Sequence, residues 1–413
     1  MPAAARVARM AAMSAPHSDT RPAPAGPPTL ADWRSPAHIR HSVRHIGQVL
    51  PLAIVAHDPA RRRAWATPLP GDDAPPPDVP AAPATLRWAD YLQRTRADGV
   101  VVLHQGRLRH VWAADDRPAP APQLLMSATK SVIGLLCGAL AEAGVLDPQA
   151  PVGLYLPELA HTGYGAVRVQ HLLDMRARPG LSAADVAGYA GATGWEPPVA
   201  GPTATTATDL HAFFSGLPAG QAQPPGAFAY RSMHTDLLGW VIARAAGAPV
   251  PEVLSRRLWC PLGAQADAAL TLDPAGAPRT TGGLVACVED LARVGWALIE
   301  PPAALDGIGR WLRDTFDGGR APDDDGATLA RAWSDGDFAR AFGRPMHYRN
   351  GWYVVRPPRP WLFAMGTHGQ QLCVDPSLGL VMAQVGSQPE QQDPRAIGLT
   401  MRAFEAWRRR LAG

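Results

Sequence analysis

Lysine is almost absent from this chain. Of its 39 basic residues, 38 are arginine and one is lysine, Lys130. Arginine serves surface charge as well as lysine does. Proton chemistry distinguishes them, because a guanidinium effectively never gives up its proton, whereas an ammonium can when it is desolvated or set beside another cation. Cysteine is scarce too. Cys137, Cys260, Cys287 and Cys373 are scattered, with no CxxC pair and no Cys/His ligand spacing. That excludes a disulfide framework or a zinc ribbon and fits a reducing cytoplasm. An excess of charge of one sign is missing: Lys+Arg 39 against Asp+Glu 36 leaves +3, so neither nucleic acid nor an anionic membrane is an expected partner. No apolar run approaches the length of a membrane span. The N-terminal stretch carries Arg6 and Arg9 but soon reaches His17 and Asp19 without an apolar core. No secretory signal is expected there, and a cytoplasmic location is.

What the chain does have is bulk and apolar content. At 413 residues and 46% hydrophobic it can bury a sizeable core, in two or three domains or in one large domain with an insertion. Residues 1–30 read as a disordered Ala/Pro-rich tail, and 31–84 as an N-terminal arm that runs into a Pro-rich linker at 68–84. Val100–Leu103 and Leu108–Trp112 around Gln105-Gly106 predict a β-hairpin. Residues 127–144 are apolar nearly all round, which predicts a buried helix closed at Gly144. Helical patterns recur at Thr235–Ala246, Val250–Leu258 and Glu289–Leu298. Short apolar runs at Trp352–Val355, Trp361–Met365, Gln371–Val374 and Leu380–Val385 predict consecutive antiparallel strands, followed by a last helix at Arg395–Leu411. The fold class expected is α/β (α+β). An antiparallel sheet flanked by helices would be built from 85–145 plus 286–413, with 146–285 as a mostly helical inserted domain.

The lone lysine lies in Ser127-Ala128-Thr129-Lys130. Positions i and i+3 of a helix share a face, which brings the hydroxyl and the amine within reach of one another. At the helix start Ser127 also feels the positive end of the dipole, and a buried amine that loses its proton can activate the serine for covalent catalysis. With 13 serines in 413 positions, a single lysine falls three residues after a serine only about 3% of the time by chance. Tyr230-Arg231-Ser232 supplies a second piece: a tyrosine near an ammonium can act as a general base, although an isolated tyrosine is more often simply half-buried. Thr367-His368-Gly369-Gln370 ends a predicted strand, where a glycine admits close backbone approach and the next amide can join an oxyanion hole. Other constellations are poor. There is no G-x-S-x-G, and Gly180-Leu181-Ser182 fails at the second glycine. His41 and His45 have no acidic residue between them, and Asp323-Asp324-Asp325-Gly326 lacks the alternating ligands of a calcium loop.

In that order and spacing the three motifs resemble the serine β-lactamase and penicillin-recognising superfamily on its class C and esterase side, and within it the 6-aminohexanoate-dimer hydrolases. The likeness covers roughly residues 30–410 and includes His171-Leu172-Leu173-Asp174-Met175-Arg176, Gly194-Trp195, Leu237-Leu238-Gly239 and Gly282-Gly283-Leu284. It implies a β-lactamase/transpeptidase-like fold with Ser127 as nucleophile, Lys130 as its partner and Tyr230 as the catalytic tyrosine. The amides of Ser127 and Gln370 would form the oxyanion hole, and Ser232, His368 and Gly369 would contact substrate. Many relatives have Asn where Ser232 stands. Thr367 and His368 stand where β-lactamases and DD-peptidases keep a lysine that holds a carboxylate, which weakens the antibiotic and cell-wall readings. The further tyrosine of the nylon-oligomer enzymes is matched by Tyr189, with Asp185 as the other occupant of that position. The function implied is hydrolysis of an amide or ester of a small-molecule substrate through an acyl-enzyme, with no metal or organic cofactor and with a homodimer as an oligomeric state to test. The alternatives are a carboxylesterase, a β-lactamase or DD-peptidase of the same fold, or a catalytically silent binding module.

Overall fold

The computed structural model describes residues 26–66, 74–114, 121–197, 207–305, 307–318 and 326–412. Most of the expected tail, part of the Pro-rich linker and Asp323–Asp325 of the acidic loop lie outside the described residues. The strands, in chain order, are β1 (Leu52–Val55), β2 (Val79–Ala81), β3 (Ala84–Leu86), β4 (Ala97–His104), β5 (Arg107–Ala113), β6 (Gln123–Leu124), β7 (Ala268–Thr271), β8 (Leu284–Ala286), β9 (Met346–Arg349), β10 (Trp352–Val355), β11 (Trp361–Gly366), β12 (Gln370–Asp375) and β13 (Leu380–Gly386). Four helices matter most to the site and its support: α1 (Thr129–Glu142), α2 (Ser232–Ala246), α3 (Val288–Ala297) and α4 (Pro394–Leu411).

Seven strands form one antiparallel sheet in the order β5-β4-β13-β12-β11-β10-β9. Its hairpin turn falls at Gln105-Gly106, where both residues have positive φ. Within β4, Val100–Leu103 read as an unbroken apolar run because both faces of the strand are covered. Val101 and Leu103 point into the core shared with α1 and α3, whereas Val100 and Val102 point into the core shared with α4. Burying a residue of this type stabilises by about 1.5–3 kcal/mol, and all four are fully buried. Helix α4 starts at Pro394, where a missing N–H costs nothing, and the Asp393 carboxylate accepts from the amides of Arg395 at 2.8 Å and Ala396 at 3.2 Å.

A second sheet runs β1-β7-β8-β6. Two of its strands, β7 and β8, come from or border the stretch expected to be mostly helical, and they pair with β1 of the N-terminal arm and with β6. At two to four residues each these strands are too short for their periodicity to stand out. The small sheet sets the site, because β6 delivers the chain into the Met126–Ala128 turn that opens α1.

Candidate active site

The turn before α1 is held from outside. The Leu125 amide donates to the Leu284 carbonyl at 2.7 Å, and the Leu284 amide donates to Thr129 Oγ1 at 3.2 Å. Met126, between these anchors, has φ +49°, a left-handed backbone that costs a side-chain-bearing residue on the order of 1 kcal/mol. Ser127 is half-buried, while Lys130 is only 3% exposed. Lys130 Nζ lies 3.0 Å from Ser127 Oγ and 2.8 Å from the Thr281 carbonyl oxygen. It also sits over the ring of Tyr230, 4.9 Å from the centroid, in cation–π range. The amine expected from the SxxK spacing thus has two oxygen partners and an aromatic face.

Thr281 is itself pinned. Its amide donates to Asp236 Oδ1 at 2.9 Å, and its hydroxyl donates to the Ser232 carbonyl at 2.9 Å. Asp236 Oδ2 accepts from Arg279 Nε at 3.0 Å and from the Tyr189 hydroxyl at 2.5 Å. Asp236 and Arg279 are both buried, and the guanidinium also stacks over Trp195 at 4.7 Å. Burial works against the Arg279 charge, but Asp236 more than offsets it and holds the guanidinium above its ordinary value. Burial, with the Asp236 charge beside it, pushes the Tyr189 phenol well up. The sequence reading missed Asp236, Thr281 and Arg279. One signal was available: an acidic residue inside the apolar run Met233–Ile242.

Tyr230 lies just ahead of α2. Its own amide donates to Asp337 Oδ2 at 2.9 Å, and its ring packs on Phe338 with centroids 5.3 Å apart. Its hydroxyl makes no hydrogen bond to the described residues. Ser232 opens α2, and the group it commits to this cluster is its backbone carbonyl. On the other side, β11 ends at Gly366. A Cβ there would lie 2.5 Å from the Leu125 oxygen and 3.0 Å from the side chains of Gln370 and Met126, so only glycine lets the strand end close against the nucleophile turn. Gln370 pairs with Gly366 across the β11–β12 connection, and its side-chain amide reaches the Gly386 carbonyl at 2.7 Å.

The structure does not place every expected substrate contact on the site surface. His368 has φ +61° and is fully buried, with Nδ1 2.7 Å from the Gln388 carbonyl. Burial lowers its pKa to about 4, so it does not offer the cation that a third-motif lysine would. Gly369 lies against Gln388, where an added Cβ would approach the amide nitrogen to 2.9 Å. Tyr189 spends its hydroxyl on Asp236, which reaches Lys130 only through Thr281. The Asp185 carboxylate accepts from the amide and hydroxyl of Ser182, both at 2.7 Å, as the capping box of a short helix. Among the described residues no three His, Cys, Asp or Glu converge as metal ligands, and no single helix is long and apolar enough to cross a membrane.

Three comparisons bear on this arrangement. The family model described as Beta-lactamase matches residues 88–403. A 6-aminohexanoate-dimer hydrolase from Paenarthrobacter ureafaciens is 32% identical over 394 residues, which is 91% of this chain and 92% of that protein. Among solved structures, a candidate 6-aminohexanoate-dimer hydrolase from Bacillus anthracis superposes with a TM-score of 0.77 at 20% identity, covering 97% of this chain and 99% of its own. The D-alanine carboxypeptidase AmpC from Burkholderia cenocepacia gives 0.54 at 15% identity, over 77% of this chain and 96% of its own. At those identities the structures speak for the fold, which is the β-lactamase/transpeptidase one.

Proposed function

This chain belongs to the beta-lactamase family as a serine hydrolase, and from that premise we propose that it cleaves amide or ester bonds of small linear molecules through an acyl-enzyme on Ser127. The observation that carries the reading is the 3.0 Å approach of Lys130 Nζ to Ser127 Oγ, made by the only lysine of the sequence. In the proposed cycle the Ser127 proton passes to Lys130 and the neighbouring Tyr230 as Oγ bonds to the substrate carbonyl carbon. The amides of Ser127 and Gln370 hold the oxyanion. As the C–N or C–O bond breaks, Tyr230 returns the proton to the leaving amine or alcohol. Water then adds to the ester, the same groups take its proton, and release of the acid restores the Ser127 hydroxyl. In the free protein the Tyr230 hydroxyl stands off from both partners; catalytic hydrogen bonds of this kind tighten on substrate binding. The chemistry calls for no metal or organic cofactor.

The likeness to a 6-aminohexanoate-dimer hydrolase along nine-tenths of the chain favours linear amides of ω-amino acids as substrates, and the four scattered cysteines fit action in a reducing cytoplasm. The buried, uncharged His368 in the third motif counts against β-lactams and D-alanyl peptides, whose carboxylates need a cation there. A fluorophosphonate probe followed by peptide mass spectrometry tests the reading. The expected result is one adduct, on Ser127, in a protein that hydrolyses the 6-aminohexanoate dimer or short esters and loses both properties in Ser127→Ala. A folded protein that takes no adduct, or takes it elsewhere, would overturn the proposal.

A further inference from the structure

A groove of about 910 Å³ lies beside the Tyr230 segment, a size that suits a small organic ligand. Ala229 and Arg231, on either side of Tyr230 in the chain, belong to its wall, whereas Tyr230, Ser127 and Lys130 themselves do not line it. Most of the lining is apolar, with Leu181, Val186 and Met233 among it. Among the described residues, the charged side chains that line it are Arg178 and Arg231, and no acidic residue does. Arg231 is partly engaged, 3.7 Å from Asp337 and 3.2 Å from the Tyr230 carbonyl. Arg178 is exposed; its carbonyl accepts from the Gln223 amide at 2.8 Å, and its guanidinium has no hydrogen-bond or ion-pair partner among the described residues.

Two further lining residues point to a polar ligand atom. Tyr164 is fully buried and His234 is 2% exposed, yet the Tyr164 hydroxyl and His234 Nδ1 have no partner among the described residues. Their rings meet edge to face at 5.9 Å. Buried polar groups are normally paired, and leaving one unpaired destabilises the protein. Burial keeps both uncharged, with the histidine pKa lowered to about 3, and each uncharged ring can donate one hydrogen bond.

We propose that this groove is a subsite for an aliphatic carboxylate, holding the apolar chain along its walls and the carboxylate at Arg178. The inference deepens the proposed function, on which it rests, by naming the charged end of the substrate and what meets it. A guanidinium without a competing acid is the best-suited side chain for that end.

Binding can be read without turnover in the full-length Ser127→Ala protein, by calorimetric titration with 6-acetamidohexanoate and with its uncharged primary amide. The carboxylate is expected to bind at least about tenfold more tightly than the amide. Arg178→Ala should erase that preference, Arg178→Lys should retain most of it, and Arg178→Glu should invert it. No saturable binding of the carboxylate, equal binding of the two ligands, or a preference that survives Arg178→Ala would each overturn the subsite. Probe labelling of Ser127 in the wild-type protein separately tests the hydrolase reading, so the two can fail independently.

Discussion

Asp236 carries more of the candidate site than any residue the motifs name. One carboxylate holds the Thr281 amide, the Arg279 guanidinium and the Tyr189 hydroxyl, and the Thr281 carbonyl in turn takes Lys130. Asp236→Asn leaves the buried Arg279 charge without its counter-ion, a loss of about 3–5 kcal/mol to be read in denaturant melts. As Thr281 shifts, kcat should fall with little change in KM, since positioning of the reacting groups is what is lost. Tyr189→Phe removes one hydrogen bond and should cost about 1 kcal/mol with KM unchanged; a raised KM at unchanged stability would make Tyr189 a substrate contact instead. Lys130→Arg keeps the charge and forbids proton exchange, so kcat should drop by about 10²–10⁴-fold while the melting temperature stays near wild type. Turnover equal to wild type would rule out the proton network. These outcomes follow from two kinds of information. Ser127 and Lys130 were legible in the sequence because three positions on a helix already fix their distance. The Asp236–Thr281 link was not, because it joins residues 45 apart and depends on how α2 meets the loop before β8.

Helix α1 is positioned along its length as well as at its first turn. A Cβ on Gly134 would lie 1.9 Å from the Asn350 carbonyl oxygen, so the helix rests directly on the backbone of the β9–β10 turn. Ser131 adds a bond of 2.6 Å to the Gly351 carbonyl. Gly134→Ala must therefore push the helix or the turn away, with a loss of at least about 1–3 kcal/mol. Because Lys130 is one helical turn upstream, the melting temperature and kcat should fall together; an unchanged melting temperature would mean that the packing relaxes without cost. Elements of this length were readable from sequence: α1, α4 and the strands from Trp352 onward fall within a residue or two of expectation. Helix α1 is announced by its apolar run, and α4 by the amphipathic pattern behind Asp393-Pro394. Strand β9 and the small sheet escaped. Met346–Arg349 mixes His and Arg with apolar residues, and two carboxylates make Arg349 acceptable inside: Asp174 at 2.6 Å and Asp314 through two bonds of 2.8 and 3.0 Å.

For the molecule as a whole, several imidazoles are held uncharged inside the fold. Burial lowers His347 and His368 to about 4 and His234 to about 3. Between the ordinary histidine value near 6.5 and those values, the unfolded chain binds protons that the folded protein does not. Stability is therefore full above about pH 7 and falls as pH drops through 6 towards 4, by on the order of 3 kcal/mol per histidine at the bottom of the window. Urea midpoints should fall from pH 8 to pH 6, by about 0.8 kcal/mol of stability per histidine, and fall further at pH 5, and a flat profile would mean that these side chains take up protons without unfolding.

The central pairing of the large sheet has a consequence for synthesis. Strand β4 finds its inner neighbour in β13, with His104 opposite Leu380, roughly 280 residues later. At about 5–20 residues per second, Val100-Val101-Val102-Leu103 waits about 14–55 s for the strand that covers it. Throughout that time the emerging chain presents a β-rich apolar edge with only the β5 side closed. Such an edge pairs with other chains when it is crowded. Slow expression at low temperature, or a holdase in excess, should therefore raise the soluble yield more than any stabilising change in the finished protein.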